Sequence, residues 1–186
     1  MTTWFTSDLH FGHKNVCRYT GRPYFSVSEM NQALIDNWNK VVTNNDTVWH
    51  LGDFAFGGIG FIKEILSQLK GKEINMIIGN HDKKLAKKAT ELIQSNYLNS
   101  VQHYKEVSIN GQHIVLCHYA MRVWNKHHRG TWMLYGHSHG TLPPYGKSVD
   151  VGVDSQYVSN EYRPYCFEEI KEFMDLQQSQ KVDHHY

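Results

Sequence analysis

Along the chain, short apolar runs alternate with stretches whose apolar positions recur every three or four residues. Residues 2–6 read as a short buried strand running into Ser7-Asp8-Leu9-His10, followed by a loop rich in Gly and His. Ser26 and Glu29 form a capping box, with Phe25 and Met30 at the staple positions. Val27, Met30, Leu34, Trp38 and Val41 then predict a helix to about Lys40. Residues 47–50 are a brief strand ending in Leu51-Gly52-Asp53, and Ile62, Ile65, Leu66 and Leu69 predict a second helix stopped at Gly71. Residues 74–78 form an apolar strand ending in Gly79-Asn80-His81-Asp82. Asp82 is placed to cap a third helix that turns Leu85, Ala89, Leu92 and Ile93 inward. Strand, loop and helix therefore alternate three times, which predicts an α/β sheet with its site at the strand carboxyl ends.

The second half is richer in strands. Residues 104–109 and 112–117 flank Asn110-Gly111, the signature of a β-hairpin with a type I′ turn, and the returning strand ends in His118. Residues 131–135 predict another strand, ending in Gly136-His137-Ser138-His139-Gly140. A turn at Pro143-Pro144 and Gly146 leads to a strand over 148–153, and a closing helix is expected over 167–176. Residues 177–186 read as a polar tail, with His184 and His185 solvent-exposed and able to pick up stray metal. No internal repeat, low-complexity tract or linker interrupts the pattern, so a single domain over 1–186 is expected.

Composition narrows the function. The 186 residues carry 19 Lys+Arg against 18 Asp+Glu, a net charge of +1, which supplies no field for holding long nucleic acid. No apolar run approaches the roughly 18–20 residues of a membrane span, and the first residues lack a signal peptide's pattern. Cys17, Cys117 and Cys166 are far apart, with no C-x-x-C pair, so a disulfide framework or zinc ribbon is not indicated and a reducing, cytoplasmic setting is expected. Thirteen histidines are more than packing needs, and several stand beside Asp, Asn or Gly.

Five polar segments fall at the ends of predicted strands: Asp8-Leu9-His10, Gly52-Asp53, Gly79-Asn80-His81-Asp82, His118 and Gly136-His137-Ser138-His139. If strand geometry continues, Asp8 and His10 face one way, as do His137 and His139. Glycine ahead of Asp53, Asn80 and His137 lets the backbone turn tightly there. Two carboxylates, an amide oxygen and several imidazoles suit first-row metals such as Mn, Fe, Zn or Ni, and suit Ca poorly. Seven such ligands exceed one ion's needs and suffice for two if a carboxylate bridges. A pair of ions about 3.5–4 Å apart is an arrangement used for in-line displacement at phosphorus.

In these five blocks the sequence resembles the calcineurin-like metallophosphoesterases, whose pattern reads D-x-H, GD, GNH followed by D or E, H, and GH-x-H. The resemblance spans residues 8 to 139. It is narrower still with small, cap-less bacterial and phage members, through the extended first block Asp-Leu-His-Phe-Gly-His followed by Lys-Asn. It implies a four-layer α/β/β/α sandwich. It implies one divalent ion on Asp8, His10, Asp53 and His139 and a second on Asp53, Asn80, His118 and His137, with Asp53 bridging and manganese the first expectation. His81 would contact phosphate or protonate the leaving oxygen, oriented by Asp82. Many relatives extend the second block to GD-x-x-D-R. Here Asp53 is followed by Phe54-Ala55-Phe56-Gly57-Gly58, which argues against a phosphoprotein substrate.

The expected reaction is attack on phosphorus by a bridging water acidified by two ions, without a covalent phosphoenzyme. The expected substrate is a small phosphodiester, a nucleotide among the candidates. The alternatives are a phosphomonoesterase on nucleotides or sugar phosphates and a protein-binding scaffold that has shed its chemistry; the intact ligand set counts against the scaffold. His13 and Lys14, and Arg122 in the crowded 119–130 loop, are candidate phosphate contacts. Trp124 is read as a base-stacking or a packing residue, and the Lys83, Lys84, Lys87 and Lys88 face as solvated. The 148–153 strand could instead place Asp150 or Asp154 behind the ligands. Exposed aromatics would line either a homodimer face or a substrate cleft.

Overall fold

A computed structural model describes residues 1–180; His184 and His185 lie outside the described residues. Two sheets form the frame. The first has strand order β4-β3-β2-β1-β9, built from β1 (Thr3–Thr6), β2 (Thr47–His50), β3 (Glu73–Ile77), β4 (Ser100–Gln102) and β9 (Tyr165–Cys166). All neighbours in it are parallel except β9, which runs antiparallel to β1. The second sheet has order β5-β6-β7-β8, from β5 (Tyr104–Ile109), β6 (Gln112–Cys117), β7 (Trp132–Tyr135) and β8 (Ser148–Asp150). The β5–β6 pair is the hairpin the sequence predicts: Asn110 (φ 50°) and Gly111 (φ 82°) take the left-handed conformations a type I′ turn requires.

Side chains alternate across each strand, so the two faces of the first sheet feed two cores. Phe5, Trp49, Leu51 and Ile77 point at Ile114, Leu116, Trp132 and Leu134 of the second sheet and fill the space between the sheets. Val48, Ile74 and Met76 point outward under Met30, Leu34, Trp38, Ile62, Ile65, Leu85 and Leu92. Those residues come from α2 (Val27–Val41), α3 (Ile59–Leu66), α4 (Lys83–Lys87) and α5 (Ala89–Gln94). On the far face of the second sheet, Trp124 packs with Val115, Met133 and Tyr135 and donates its indole N–H to Thr131 O at 2.8 Å, which makes it a packing residue. The α6 helix (Phe167–Asp175) sends Phe167, Ile170 and Met174 into the core between the sheets. The α/β architecture of two sheets flanked by helices is therefore as expected.

Several local expectations are corrected. Ser26 does cap α2, accepting from Glu29 N at 3.1 Å, but the Glu29 carboxylate reaches past it to Phe25 N at 2.8 Å. Phe25 consequently faces water, fully exposed, and forms no staple with the buried Met30. The expected third helix breaks at Lys88 into α4 and α5, which resets the phase: Leu85 and Leu92 are buried while Ile93 is exposed. Asp82 makes no side-chain cap on α4. Four short elements are not predicted by the sequence pattern: α1 (Val16–Thr20), a 3₁₀ turn (His127–Arg129) and the strands β4 and β9. Pieces of two to five residues show no period of their own and form because a sheet edge or a loop receives them.

Candidate metal centre

The polar segments converge as their positions require. The loops after β1, β2, β3, β6 and β7 meet at the carboxyl ends of the two sheets. The first two are zipped together by Asp8 N to Gly52 O at 2.9 Å and His10 N to Asp53 O at 3.0 Å. Two trios of ligand atoms result, Asp8 with His10 and His139, and Asp53 with His118 and His137, each within 4.8 Å of one another. The Asp53 carboxylate lies between the trios. Its Oδ2 is 3.6 Å from Nε2 of both His10 and His118, while its Oδ1 accepts from His81 N at 2.9 Å. Asn80 Oδ1 sits 3.1 Å from His118 Nε2.

These separations exceed hydrogen-bond reach for the His–Asp53 contacts, yet two donors each about 2.0–2.2 Å from a shared ion stand at comparable distances. The ligand atoms are also short of partners. Asp8 Oδ1 and both ring nitrogens of His10 are buried without a hydrogen bond. Leaving such groups unpaired costs about 1–3 kcal/mol each, and a cation between them removes that cost. Burial also drives the Asp8 carboxyl well above the usual carboxylate range, against a lowering from His139. Burial, then His139 and Arg22, hold the His10 imidazole down to about 2, so it is a neutral donor. The described residues thus fit a dinuclear divalent-metal site.

Backbone conformation shows what the arrangement demands. Asp8, His10, Asp53, His137 and His139 all have φ between 47° and 68°, the left-handed region that non-glycine residues rarely enter. Each such residue costs on the order of 1–3 kcal/mol, so the continued-strand geometry expected for Asp8/His10 and His137/His139 is replaced by tight, strained loops. The glycine expectation is corrected too. Gly52 serves both the turn (φ 103°) and close approach, since a Cβ there would lie 2.5 Å from His118 Nδ1 and 2.7 Å from Gly79 N, whereas Gly79 and Gly136 serve close approach alone. A Cβ on Gly79 would lie 2.2 Å from Asp53 Oδ1, and one on Gly136 only 1.9 Å from Ser7 Oγ and 2.5 Å from Asp8 Oδ2.

The remaining expected residues separate. His81 overhangs the centre, its side chain 43% exposed and its Nε2 3.9 Å from Asp53 Oδ2. Asp82 does not orient it. Both Asp82 oxygens are taken by backbone N–H groups, Asp53 at 2.7 Å, Phe54 at 2.9 Å and Gly79 at 2.9 Å, so it locks the second ligand loop to the third. His13 faces the same cleft, stacked on Phe56 with ring centres 4.0 Å apart and planes 8° from parallel. Burial and the neighbouring His81 lower its pKa. Arg122 is not brought to the centre; its guanidinium lies 3.8 Å from the Tyr145 ring centre in a neighbouring groove. Lys14 lines another groove, with Arg18 and Phe25.

Behind the ligands stand residues of which the sequence reading had only part. Asp154 Oδ2 meets His139 Nδ1 at 2.6 Å, and Asp150 accepts from Gly140 N and Gly152 N. Arg22, buried, binds both oxygens of Asp154; in the sequence a single arginine in a Gly-Arg-Pro turn carries no signal without its partner 132 residues away.

Comparison with known proteins agrees with this geometry. Residues 1–149 match the model of the calcineurin-like phosphoesterase superfamily domain. An uncharacterised protein of Methanocaldococcus jannaschii is 33% identical over 157 residues, covering 80% of this chain and 79% of its own. The Gene 66 protein of Mycobacterium phage D29 is 26% identical over 160 residues, covering 75% of this chain and 79% of its own. In fold, the chain is similar to a protein of unknown function from Aquifex aeolicus, with a TM-score of 0.67, 23% identity, and coverage of 92% and 98% of the two chains. It is also similar to an archaeal phosphodiesterase, at a TM-score of 0.51, 18% identity, and coverage of 83% and 84%. The chain belongs to the calcineurin-like phosphoesterase superfamily, which makes it a phosphoesterase by family. No described helix is long and apolar enough to cross a membrane.

Proposed function

We propose that this protein is a dinuclear metal-dependent phosphodiesterase acting on a small organic diester, a nucleotide among the candidates. The observation that carries the proposal is Asp53 Oδ2, equidistant at 3.6 Å from a histidine of each trio. In this reading Asp8, His10, Asp53 and His139 hold one ion, and Asp53, Asn80, His118 and His137 the other. Manganese is the first candidate, followed by iron, zinc or nickel. Bound ions supply Lewis acidity toward the phosphoryl oxygens and an acidified water. Asp53, fixed through Oδ1 by His81 N–H and through its own N–H by Asp82, keeps Oδ2 aimed between the trios. His81, at the open mouth of the site, donates a proton to the leaving oxygen. His13, neutral and beside it, donates a hydrogen bond to phosphate.

The cleft supports a small diester. Its volume is about 750 Å³, within the range of small-molecule sites. Its lining holds His13, Phe56, Tyr19 and His81, and among the described residues no Lys or Arg. A diester carries one negative charge where a monoester carries nearly two, so a lining without fixed cations favours the diester. The Phe56 and Tyr19 rings offer a wall for an aromatic leaving group. Three free thiols suit a cytoplasmic setting. The test is hydrolysis of bis-p-nitrophenyl phosphate by chelator-stripped protein before and after adding manganese. Manganese-dependent release of nitrophenol is expected. Folded protein that releases none, yet hydrolyses p-nitrophenyl phosphate, would overturn the diester reading.

A further inference from the structure

The two trios differ in what stands behind them. Behind Asp8, His10 and His139 lies one buried cation, Arg22, whose side chain is fully shielded from solvent. Its Nε and Nη2 bind the two oxygens of Asp154 at 2.7 Å each, a bidentate fork. The same guanidinium donates to the carbonyls of Asp8 (2.6 Å) and Leu9 (2.9 Å), the backbone of the first ligand loop. Asp154 in turn meets His139 Nδ1 at 2.6 Å. A carboxylate can only accept, so it holds Nδ1 as N–H and leaves Nε2 with its lone pair. Two members of the second trio are held by other means: His118 Nδ1 meets Leu51 O at 2.8 Å, and Asp53 Oδ1 accepts from His81 N, while His137 N donates to Asp8 Oδ2 at 2.9 Å. Arg22 makes no hydrogen bond to Asp53, His118 or His137 among the described residues.

We propose that Arg22 and Asp154 are positioning residues for one half of the centre, setting the affinity of the Asp8–His10–His139 ion without setting that of the other. The relay joins the first ligand loop to the last. Arg22 reaches this position because α1 ends at Gly21, whose left-handed turn (φ 73°) sends the chain back inward. Asp154 reaches it because Val153 N bonds Ser7 O at 3.1 Å, carrying the segment that follows β8 alongside the end of β1, where Ser7 and Gly152 form an isolated bridge. Asp8 and His10 of the first loop, and His139, sit in left-handed backbone that must be held from behind. The proposal rests on the dinuclear reading above and adds an asymmetry to it.

The experiment is titration of chelator-stripped, full-length protein with manganese alone, by calorimetry, in wild type, Asp154→Asn and Arg22→Lys. Wild type is expected to take up two ions. Each variant is expected to bind one of them about 10–100-fold more weakly, with the other unchanged within twofold. The double variant should lose little more than the weaker single one, because the two act as one relay. Equal weakening of both ions, or of neither, would overturn the proposal. Wild type that takes up no second ion would overturn the dinuclear reading beneath it, a distinct result. A measurement that needs no variant to fold is ¹⁵N NMR of the zinc-loaded wild type: His139 protonated at Nδ1 is expected, and protonation at Nε2 sinks the relay.

Discussion

At the scale of single residues, His81 carries the sharpest chemical expectation. It is half open to the cleft and is assigned the leaving-group proton. His81→Ala should leave metal uptake unchanged and lower kcat on an alkyl phosphodiester by about 10²–10⁴-fold. On bis-p-nitrophenyl phosphate the loss should be much smaller, since nitrophenolate departs without a proton. Equal losses on both esters would remove the acid role. The candidate residues stand out in the sequence because Asp, His and Asn at strand ends carry donor atoms in their identity, while the division of roles between the seven ligand candidates and His81 is implied by the family resemblance. Asp82 was not, since its identity reads the same whether it orients a histidine or, as here, binds three backbone N–H groups.

At the scale of elements, the turn between α2 and β2 ties the sheet to its helical cover. Asp46 there accepts from Thr2 N at 2.7 Å, Thr43 N at 2.9 Å, the Thr43 hydroxyl at 2.8 Å and the Trp4 indole at 3.3 Å. Burial works against its charge, but these bonds outweigh it and hold its pKa down to about 2. A folded pKa below the unfolded value contributes stability that is present above the unfolded pKa of about 3.9 and vanishes as pH falls toward the folded one. Urea unfolding should therefore find Asp46→Asn less stable by roughly 1–2 kcal/mol at pH 7. That gap should close between pH 4 and pH 2; a gap constant through this window would show that the charge is not its source. The long α2 and the β5–β6 hairpin were legible because cap, period and turn chemistry agree locally. The α1 helix, β4 and β9 were not, because each is defined by what it docks against.

At the scale of the whole molecule, the two sheets meet where Gly136, after β7, lies against Ser7 and Asp8, after β1. The space there admits no side chain. Gly136→Ala should cost about 1–3 kcal/mol by overpacking, and should weaken metal uptake by displacing Asp8. Gly60→Ala, within α3, is the control: a Cβ there meets nothing within 4 Å, and because Ala is the better helix former the variant should be no less stable than wild type. If both variants unfold alike in thermal melts, close approach is not the role of Gly136.

By itself the sequence determined the alternation of strands and helices and the gathering of Asp, Asn and His at the strand ends. Those properties reside in local period and residue identity, which are readable in a window of a dozen residues. Tertiary structure alone decided the left-handed backbone at five of the ligand candidates, the diversion of Asp82 to loop anchoring, and the removal of Arg122 to another groove. It also decided the union of Arg22, Asp154 and His139 across the fold. Each of these depends on contacts between segments far apart in the chain, whose geometry is set only when two sheets pack and the buried polar groups must find partners.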